Sequence, residues 1–234
     1  MTARKNKDIS IIIPAYYEEE NLVHLLPRLI QTIKLTKLAY EILILDSIKS
    51  LDKTEALCRK YKIRYLNRKV DNSYGSAIRT GIKEARGRYI LFMDADGSHS
   101  PEFIPKLLKF RHEYEIVVAS RYVGNGKTEN SLPLILMSRI LNWTYAYVLS
   151  IPCKDISNSF KIYRAIDVKP LKLKAKNFDI VEELIYKVCQ NQPNIRIKEV
   201  PFLFKKRMFG ETKRNLFLFI FTFTFTIFKL RFFI

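Results

Sequence analysis

Glycine and proline are scarce in this chain, seven and nine in 234 residues, which excludes a collagen-like or low-complexity polymer. Cysteine is scarcer still. Cys58, Cys153 and Cys189 make no metal-spaced pair and no even-numbered disulfide framework, so they read as reduced thiols packed in a core, in a cytosolic setting. Acidic residues fall short of basic ones, 23 against 41. The resulting formal charge of +18 implies a polyanionic partner: nucleic acid, an anionic membrane face or phosphorylated substrates. No signal peptide is expected at the N-terminus, where a short basic stretch runs into an apolar strand and then into Glu18, Glu19 and Glu20. No internal repeat is evident.

What is present is enough for a core. Hydrophobic residues make up 48% of the chain, which excludes a disordered protein, and the length fits one large domain or two very small ones. Short apolar runs (Ile9–Ile13, Ile42–Leu45, Tyr89–Met93, Ile116–Ala119, Ile195–Val200) read as strands. Stretches of helical spacing (Asn21–Lys37, Asp52–Lys62, Ser76–Arg86, Pro101–Phe110) lie between them. This alternation predicts an α/β fold, a mostly parallel sheet with helices on both faces. Such sheets bind ligands beyond the carboxyl ends of their strands. Pro14 to Asn21, Asp46, and Asp94-Ala95-Asp96 occupy those positions. One such Asp is usually a cap or a turn; polar groups at three neighbouring strand ends point to a binding site.

Asp94-Ala95-Asp96 is the key element. Two carboxylates one residue apart at the end of a buried strand can hold Mg²⁺ or Mn²⁺, which prefer hard oxygen ligands and bridge to substrate phosphates. That suits a nucleotide-diphosphate donor, whose leaving group needs its charge neutralised. A bare Asp-x-Asp is a weak signal; the strand before it and Gly97-Ser98-His99-Ser100-Pro101-Glu102 after it strengthen it.

From about Ile9 to Lys213 the chain resembles a family 2 glycosyltransferase of the GT-A, Rossmann-like fold, of the dolichyl-phosphate mannose synthase (polyprenyl-phosphate glycosyltransferase) type. The resemblance is carried by Ile11-Ile12-Ile13-Pro14-Ala15-Tyr16-Tyr17-Glu18-Glu19-Glu20-Asn21, by Tyr74-Gly75-Ser76-Ala77, and by Met93 to Glu102. Further matches are Ala119-Ser120-Arg121-Tyr122-Val123, Asp155 to Arg164, Glu199-Val200-Pro201, and Arg207-Met208-Phe209-Gly210-Glu211-Thr212-Lys213. It implies a catalytic domain over 1–214, and the composition shift beyond it is read as a hydrophobic, membrane-associated tail over 215–234.

The roles that follow are what the resemblance implies. Pro14, Tyr16 and Glu18 line the nucleoside pocket and Asp46 contacts the base, with Asp94 and Ala95 also on the nucleotide. Asp94 and Asp96 hold the metal, Mg²⁺ or Mn²⁺, and Ser98 stands where the family's further metal-side ligand is often Gln. Ser120, Arg121, Arg139, Arg207 and Lys213 meet the acceptor phosphate, with Asp96, Arg121, Arg207 and Lys213 as the catalytic set. Arg offers phosphate a bidentate fork and Lys a mobile point charge. The implied partners are a nucleotide sugar, with GDP-mannose favoured, a dolichyl or polyprenyl phosphate, the cytoplasmic face of a membrane and a membrane subunit, but no nucleic acid. The family usually carries Asp-Asp-Gly-Ser after the second strand, where this chain has Asp46-Ser47-Ile48-Lys49-Ser50. A reshaped turn and altered recognition of base or ribose are the expectation there.

The implied reaction asks little of acid–base chemistry, because a lipid monophosphate is already anionic. Alignment of that oxygen with the anomeric carbon and stabilisation of the departing diphosphate suffice, with inversion. His99 alone of the three histidines lies near the site, and it reads better as a loop hydrogen-bonder than as a base. Near the C-terminus, Leu216 to Phe228 is thirteen residues without a charge. Crossing a bilayer takes about 20 apolar residues, so an interfacial helix, or one docked on a membrane subunit, is expected. Two other readings stand beside this one: a family 2 enzyme acting on a glycan or other non-lipid acceptor, and a catalytically weakened binding or scaffold homologue.

Overall fold

The computed structural model describes residues 7–210 and 225–232. The apolar runs become central strands because each is covered on both sides and needs apolar residues at successive positions. The strands are β1 (Lys7–Pro14), β2 (Tyr40–Asp46), β3 (Arg64–Asn67), β4 (Gly87–Phe92), β5 (Ile116–Ser120), β6 (Lys127–Thr128), β7 (Lys161–Arg164), β8 (Ile197–Pro201) and β9 (Leu203–Phe204). Seven of them form one sheet in the order β3-β2-β1-β4-β7-β5-β8, and β6 pairs with β9 in a small second sheet. Every pairing in the large sheet is parallel except those of β7, which runs against both β4 and β5.

The helices are α1 (Glu19–Leu35), α2 (Thr54–Lys60), α3 (Tyr74–Glu84), α4 (Ile104–Leu108, entered through a 3-10 turn at Pro101–Phe103), α5 (Leu132–Val148), α6 (Ala165–Val168) and α7 (Ile180–Asn191). Alternate side chains of a strand point to opposite faces. Ile9, Ile11 and Ile13 therefore pack with Leu22, Leu26 and Ile104 from α1 and α4. Ile12 packs on the other side with Ala77, Ile78 and Ile82 of α3, in a cluster that also holds Tyr145 of α5 and Leu184 of α7.

The five strands and four helices expected from the sequence all form, with ends displaced by a few residues. β3, β6, β7, β9 and the helices after β5 are additions. Because β7 is reversed, its start rather than its end meets the carboxyl edge: Lys161 is in register with Phe92 of β4 and Val118 of β5. The preceding residues, Ser157 to Phe160, are thereby delivered to the Asp94 turn.

Lys213 and most of Leu216–Phe228 lie outside the described residues, as does the boundary expected at 214/215. Residues 225–232 are helical, with Thr226 and Leu230 buried and Phe225, Phe228 and Phe232 exposed. Among the described residues no helix is long and apolar enough to cross a membrane.

Candidate active site

A cleft of about 840 Å³ opens at the carboxyl edge of the sheet. The Asp94–Ser98 turn forms its floor. Asp94 Oδ1 accepts hydrogen bonds from Tyr74 Oη (3.2 Å) and Ser159 Oγ (3.1 Å). Asp96 Oδ1 accepts from the backbone N–H of Ser98 (3.0 Å) and from its Oγ (2.6 Å). In each carboxylate one oxygen is thus spent on orientation. Oδ2 of Asp96 makes no hydrogen bond among the described residues, and Oδ2 of Asp94 stands 3.8 Å from His99 Nε2. Two oriented carboxylates presenting hard oxygens into a cleft fit a Mg²⁺ or Mn²⁺ ion, which Asp94 and Asp96 would hold with substrate and water completing its shell. Ser98 is held close enough to take part, through its bond to Asp96. Among the described residues there is no cluster of three acidic, His or Cys side chains that would enclose a metal without substrate.

His99 is fully buried and stacks on Phe160 at 4.8 Å. Its Nδ1 accepts from the Asp94 N–H at 3.0 Å, which leaves Nε2 as the protonated nitrogen, donating to Asn158 Oδ1 at 3.0 Å. Asn158 in turn donates to the Ala119 carbonyl at 2.6 Å. The imidazole is a structural pin between the ends of β4 and β5, with both nitrogens occupied.

On the donor side, Pro14, Tyr16 and Glu18 line the cleft together with Asp94 and Ala95. Asp46 does not. It is buried at the end of β2, where it accepts from Tyr65 Oη (2.9 Å) and from the Ser47 N–H (2.7 Å). The Asp46–Ser50 turn closes without any positive φ, which explains how it dispenses with glycine. Ser47 Oγ donates to the Lys49 carbonyl (2.6 Å), and Asn72 Oδ1 accepts from the Ile48 N–H (2.8 Å).

The basic loop that follows β9 crosses the turn. Lys205 N–H donates to the Ser98 carbonyl (3.2 Å) and Met208 N–H to the Asp96 carbonyl (2.9 Å). Gly97 adopts φ +80°, and a Cβ there would meet Met208 Cε at 2.5 Å. Arg207 lines the cleft and donates to Glu18 and to the Phe209 carbonyl (2.8 Å). Lys205 and Lys206 line the same mouth.

Arg121 also lines the cleft, locked to Asp155 by two bonds of 2.9 and 2.6 Å and to Ser157 Oγ at 2.9 Å. Burial works against its charge, but Asp155 outweighs burial and raises its pKa above the ordinary arginine value. Arg139 is exposed and is not on the cleft; its guanidinium lies 5.5 Å from the Tyr122 ring, on which Arg121 also sits at 5.0 Å. Ser120 is buried away from the cleft and donates to Glu199 at 2.7 Å. One cleft therefore gathers Asp96, Ser98, Arg121 and Arg207 with the donor-side residues, whereas Asp46, Ser120 and Arg139 sit outside it.

Arg68 joins the site without a sequence signal, since nothing in Arg68-Lys69-Val70-Asp71 points to a function. It is 4% exposed, lines the cleft and has no carboxylate partner among the described residues. Its donors go to the carbonyls of Ala15 (2.6 Å), Asn72 and Ser73 (3.3 Å), and burial lowers its pKa. Tyr74 and Ser159 lie within matched motifs, but their contact with Asp94 needs the fold to be seen.

Fold and site together define a glycosyltransferase of the GT-A type. Residues 10–171 match the Glycosyl transferase family 2 model, and the chain belongs to that family. It is 34% identical over 212 residues to the dolichol-phosphate mannosyltransferase of Pyrococcus furiosus, covering 88% of this chain and 58% of that protein. To the dolichol-phosphate mannosyltransferase of Saccharomyces cerevisiae it is 30% identical over 217 residues, 88% of this chain and 80% of that protein. The chain thus spans little more than half the length of its Pyrococcus relative. The glucosyl-3-phosphoglycerate synthase of Mycobacterium tuberculosis, solved with Mn²⁺, UDP and glucosyl-3-phosphoglycerate, matches with a TM-score of 0.71 at 17% identity, over 96% of this chain and 78% of that one. At that identity the likeness establishes the fold alone.

Proposed function

We propose that the protein moves a hexose, mannose from GDP-mannose, onto a dolichyl or other polyprenyl phosphate at the cytoplasmic face of a membrane, with inversion at the anomeric carbon. The observation that carries this reading is the stitching of the basic loop, through Lys205 and Met208, onto the backbone of the Asp94–Ser98 turn. It sets cations beside the two carboxylates, where a phosphorylated acceptor would meet the donor diphosphate. A neutral sugar acceptor would need no such cations. Both relatives are named dolichol-phosphate mannosyltransferase, which supports mannose as the sugar and dolichol phosphate as the acceptor.

Asp94 and Asp96, with Ser98 beside them, would hold Mg²⁺ or Mn²⁺; charge neutralisation on the departing diphosphate is what the bound ion supplies. Pro14, Tyr16 and Arg68 line the donor side, and Arg121 and Arg207, which line the same cleft, would meet phosphate oxygens. No general base is required of the protein.

The outer face of α5 supports a membrane location. Leu132, Leu136, Ile140, Trp143 and Tyr147 are all exposed and recur at helical spacing on one side. Trp143 and Tyr147 stack at 5.7 Å. The cleft-side face of the same helix supplies Leu134, Met137 and Leu141. An apolar outer stripe with interfacial aromatics suits a helix lying in a lipid headgroup layer.

The test is incubation of the purified chain and Mn²⁺ with a panel of radiolabelled nucleotide sugars and a short polyprenyl phosphate. Label from GDP-mannose is expected in the organic phase. Label in a water-soluble glycan would place the acceptor outside lipids, and binding without transfer would favour a scaffold role.

A further inference from the structure

Between α6 and α7 the chain runs Lys169-Pro170-Leu171-Lys172-Leu173-Lys174-Ala175-Lys176. Burial alternates along it. Leu173 and Ala175 are buried and Leu171 half-buried, whereas Lys172, Lys174 and Lys176 are exposed. That alternation turns Leu173 and Ala175 inward and leaves Lys172, Lys174 and Lys176 on the outside of the segment.

The backbone of this strip is fixed. Glu183 of α7, itself buried, accepts from the N–H of Lys174 (2.9 Å) and of Ala175 (2.7 Å). Gly75 at the start of α3 donates its N–H to the Lys176 carbonyl at 2.7 Å, and a Cβ at Gly75 would collide with the Ala175 carbonyl oxygen. Lys187 pairs with Glu183 at 2.8 Å and donates to the Lys172 carbonyl at 2.6 Å. None of the three exposed lysines forms an ion pair among the described residues. Like charges set in a row repel one another, with Asp71 near Lys176 as a partial counter-charge, and an anionic surface relieves that repulsion.

The strip leads directly to the cleft. Phe178, two residues on, lines it and stacks on Tyr74 at 4.4 Å. Asp179 then accepts from Thr226 at 2.9 Å, which ties on the helix 225–232. Phe225, Phe228 and Phe232 of that helix are exposed, at the i, i+3, i+7 spacing of one helix face. Through Asp179 and Thr226 the helix carrying the aromatic ridge is joined to the N-terminal end of α7, three residues beyond Lys176 and next to cleft-lining Phe178.

We infer that Lys172, Lys174 and Lys176 dock on the anionic headgroups of a phospholipid bilayer while the Phe225/Phe228/Phe232 ridge enters the headgroup boundary, holding the cleft at the membrane surface. This rests on the reading of the acceptor as a lipid phosphate. A bilayer fits better than a nucleic acid because the aromatic side chains form a separate apolar ridge; single-strand binders interleave stacking rings with the cations.

The test is flotation of the full chain with phosphatidylcholine vesicles, with and without phosphatidylglycerol, at rising salt. Each lysine near such a surface contributes roughly fivefold to partitioning, so K172Q/K174Q/K176Q is expected to bind the anionic vesicles roughly 100-fold more weakly. The corresponding triple Arg variant should bind like the parent, and salt should weaken both. Transfer to a short polyprenyl phosphate in detergent should be unchanged in the triple Gln variant. If even the parent transfers no label while vesicle binding follows the lysines, the catalytic reading fails and the docking surface stands. Equal vesicle binding by parent and triple Gln variant overturns the proposal. So does a loss of detergent activity with a lowered Tm, which would make the strip a structural element. Duplex RNA binding that follows the lysines, with no vesicle binding, overturns it as well.

Discussion

Arg207 and Glu18 form an ion pair across the mouth of the cleft, 189 positions apart in the chain, with the guanidinium donating to Oε1 of Glu18. The second oxygen of Glu18 accepts from Asn21 at 2.7 Å, and Asn21 in turn exchanges hydrogen bonds with the backbone of Phe209. The start of α1, on the donor side, is thereby latched to the basic loop on the acceptor side. Both side chains are largely buried, so removing one strands the other's charge. Glu18→Gln and Arg207→Met should each lower stability to denaturant, and the double variant should lose less than the sum. A coupling of about 1–3 kcal/mol is expected. Additive losses would show that latch and loop are held independently.

Asp96→Ala and Asp94→Ala should each cut transfer by at least ~100-fold if the carboxylates hold a cation on the leaving diphosphate, a role worth several kcal/mol in the transition state. The second readout is calorimetric. Nucleotide binding by the parent chain should strengthen with Mn²⁺, and both variants should lose that dependence while retaining metal-free binding. Wild-type rates in both variants with metal present would remove the metal from the reading.

Gly97 carries a positive φ directly beneath Met208. Gly97→Ala should destabilise by roughly 1–2 kcal/mol through backbone strain, with a further loss from the overlap with Met208. Adding Met208→Ala should recover the second part and leave the first. Full recovery in the double variant would show that the backbone adjusts at no cost.

The parts of the molecule legible in the sequence are those where burial dictates residue type. β1, β2, β4, β5 and β8 show as apolar runs, and the first three of these end in the polar groups at the sheet edge. β7 does not show, because Lys161-Ile162-Tyr163-Arg164 is four residues long and half basic. Lys161 is nevertheless fully buried, its ammonium satisfied by the carbonyls of Ile156 (2.7 Å) and Asn158, an arrangement only the folded loop provides. α5 escaped because its apolar residues run nearly all round the helix and mask its period. At the site, the Asp94/Asp96 pair was readable from spacing. The withdrawal of Asp46 from the cleft depends on Tyr65 reaching it from the neighbouring strand, a matter of sheet register that spacing does not encode.

Arg68 offers the sharpest test of the donor side. Its guanidinium joins the exit of β1 at Ala15 to the loop before α3 at Asn72 and Ser73, and it lies 5.9 Å from the ring of Tyr16. Two of the arginines that line the cleft, Arg121 and Arg207, are paired with carboxylates; Arg68 is surrounded by carbonyls, and its Nε is buried without a partner. A planar fork can satisfy three carbonyls held in two segments, whereas a lysine ammonium is a single point on a flexible stem. Arg68→Lys should therefore behave like Arg68→Met: both lower Tm, and both weaken donor binding by about tenfold, the equivalent of roughly 1.4 kcal/mol. If Arg68 positions Pro14 to Tyr16 as the floor of the nucleoside pocket, KM for the nucleotide sugar rises while kcat changes little. A collapse of kcat at unchanged KM would place its charge on the departing diphosphate instead, and a fully active Arg68→Lys would show that charge alone is needed there.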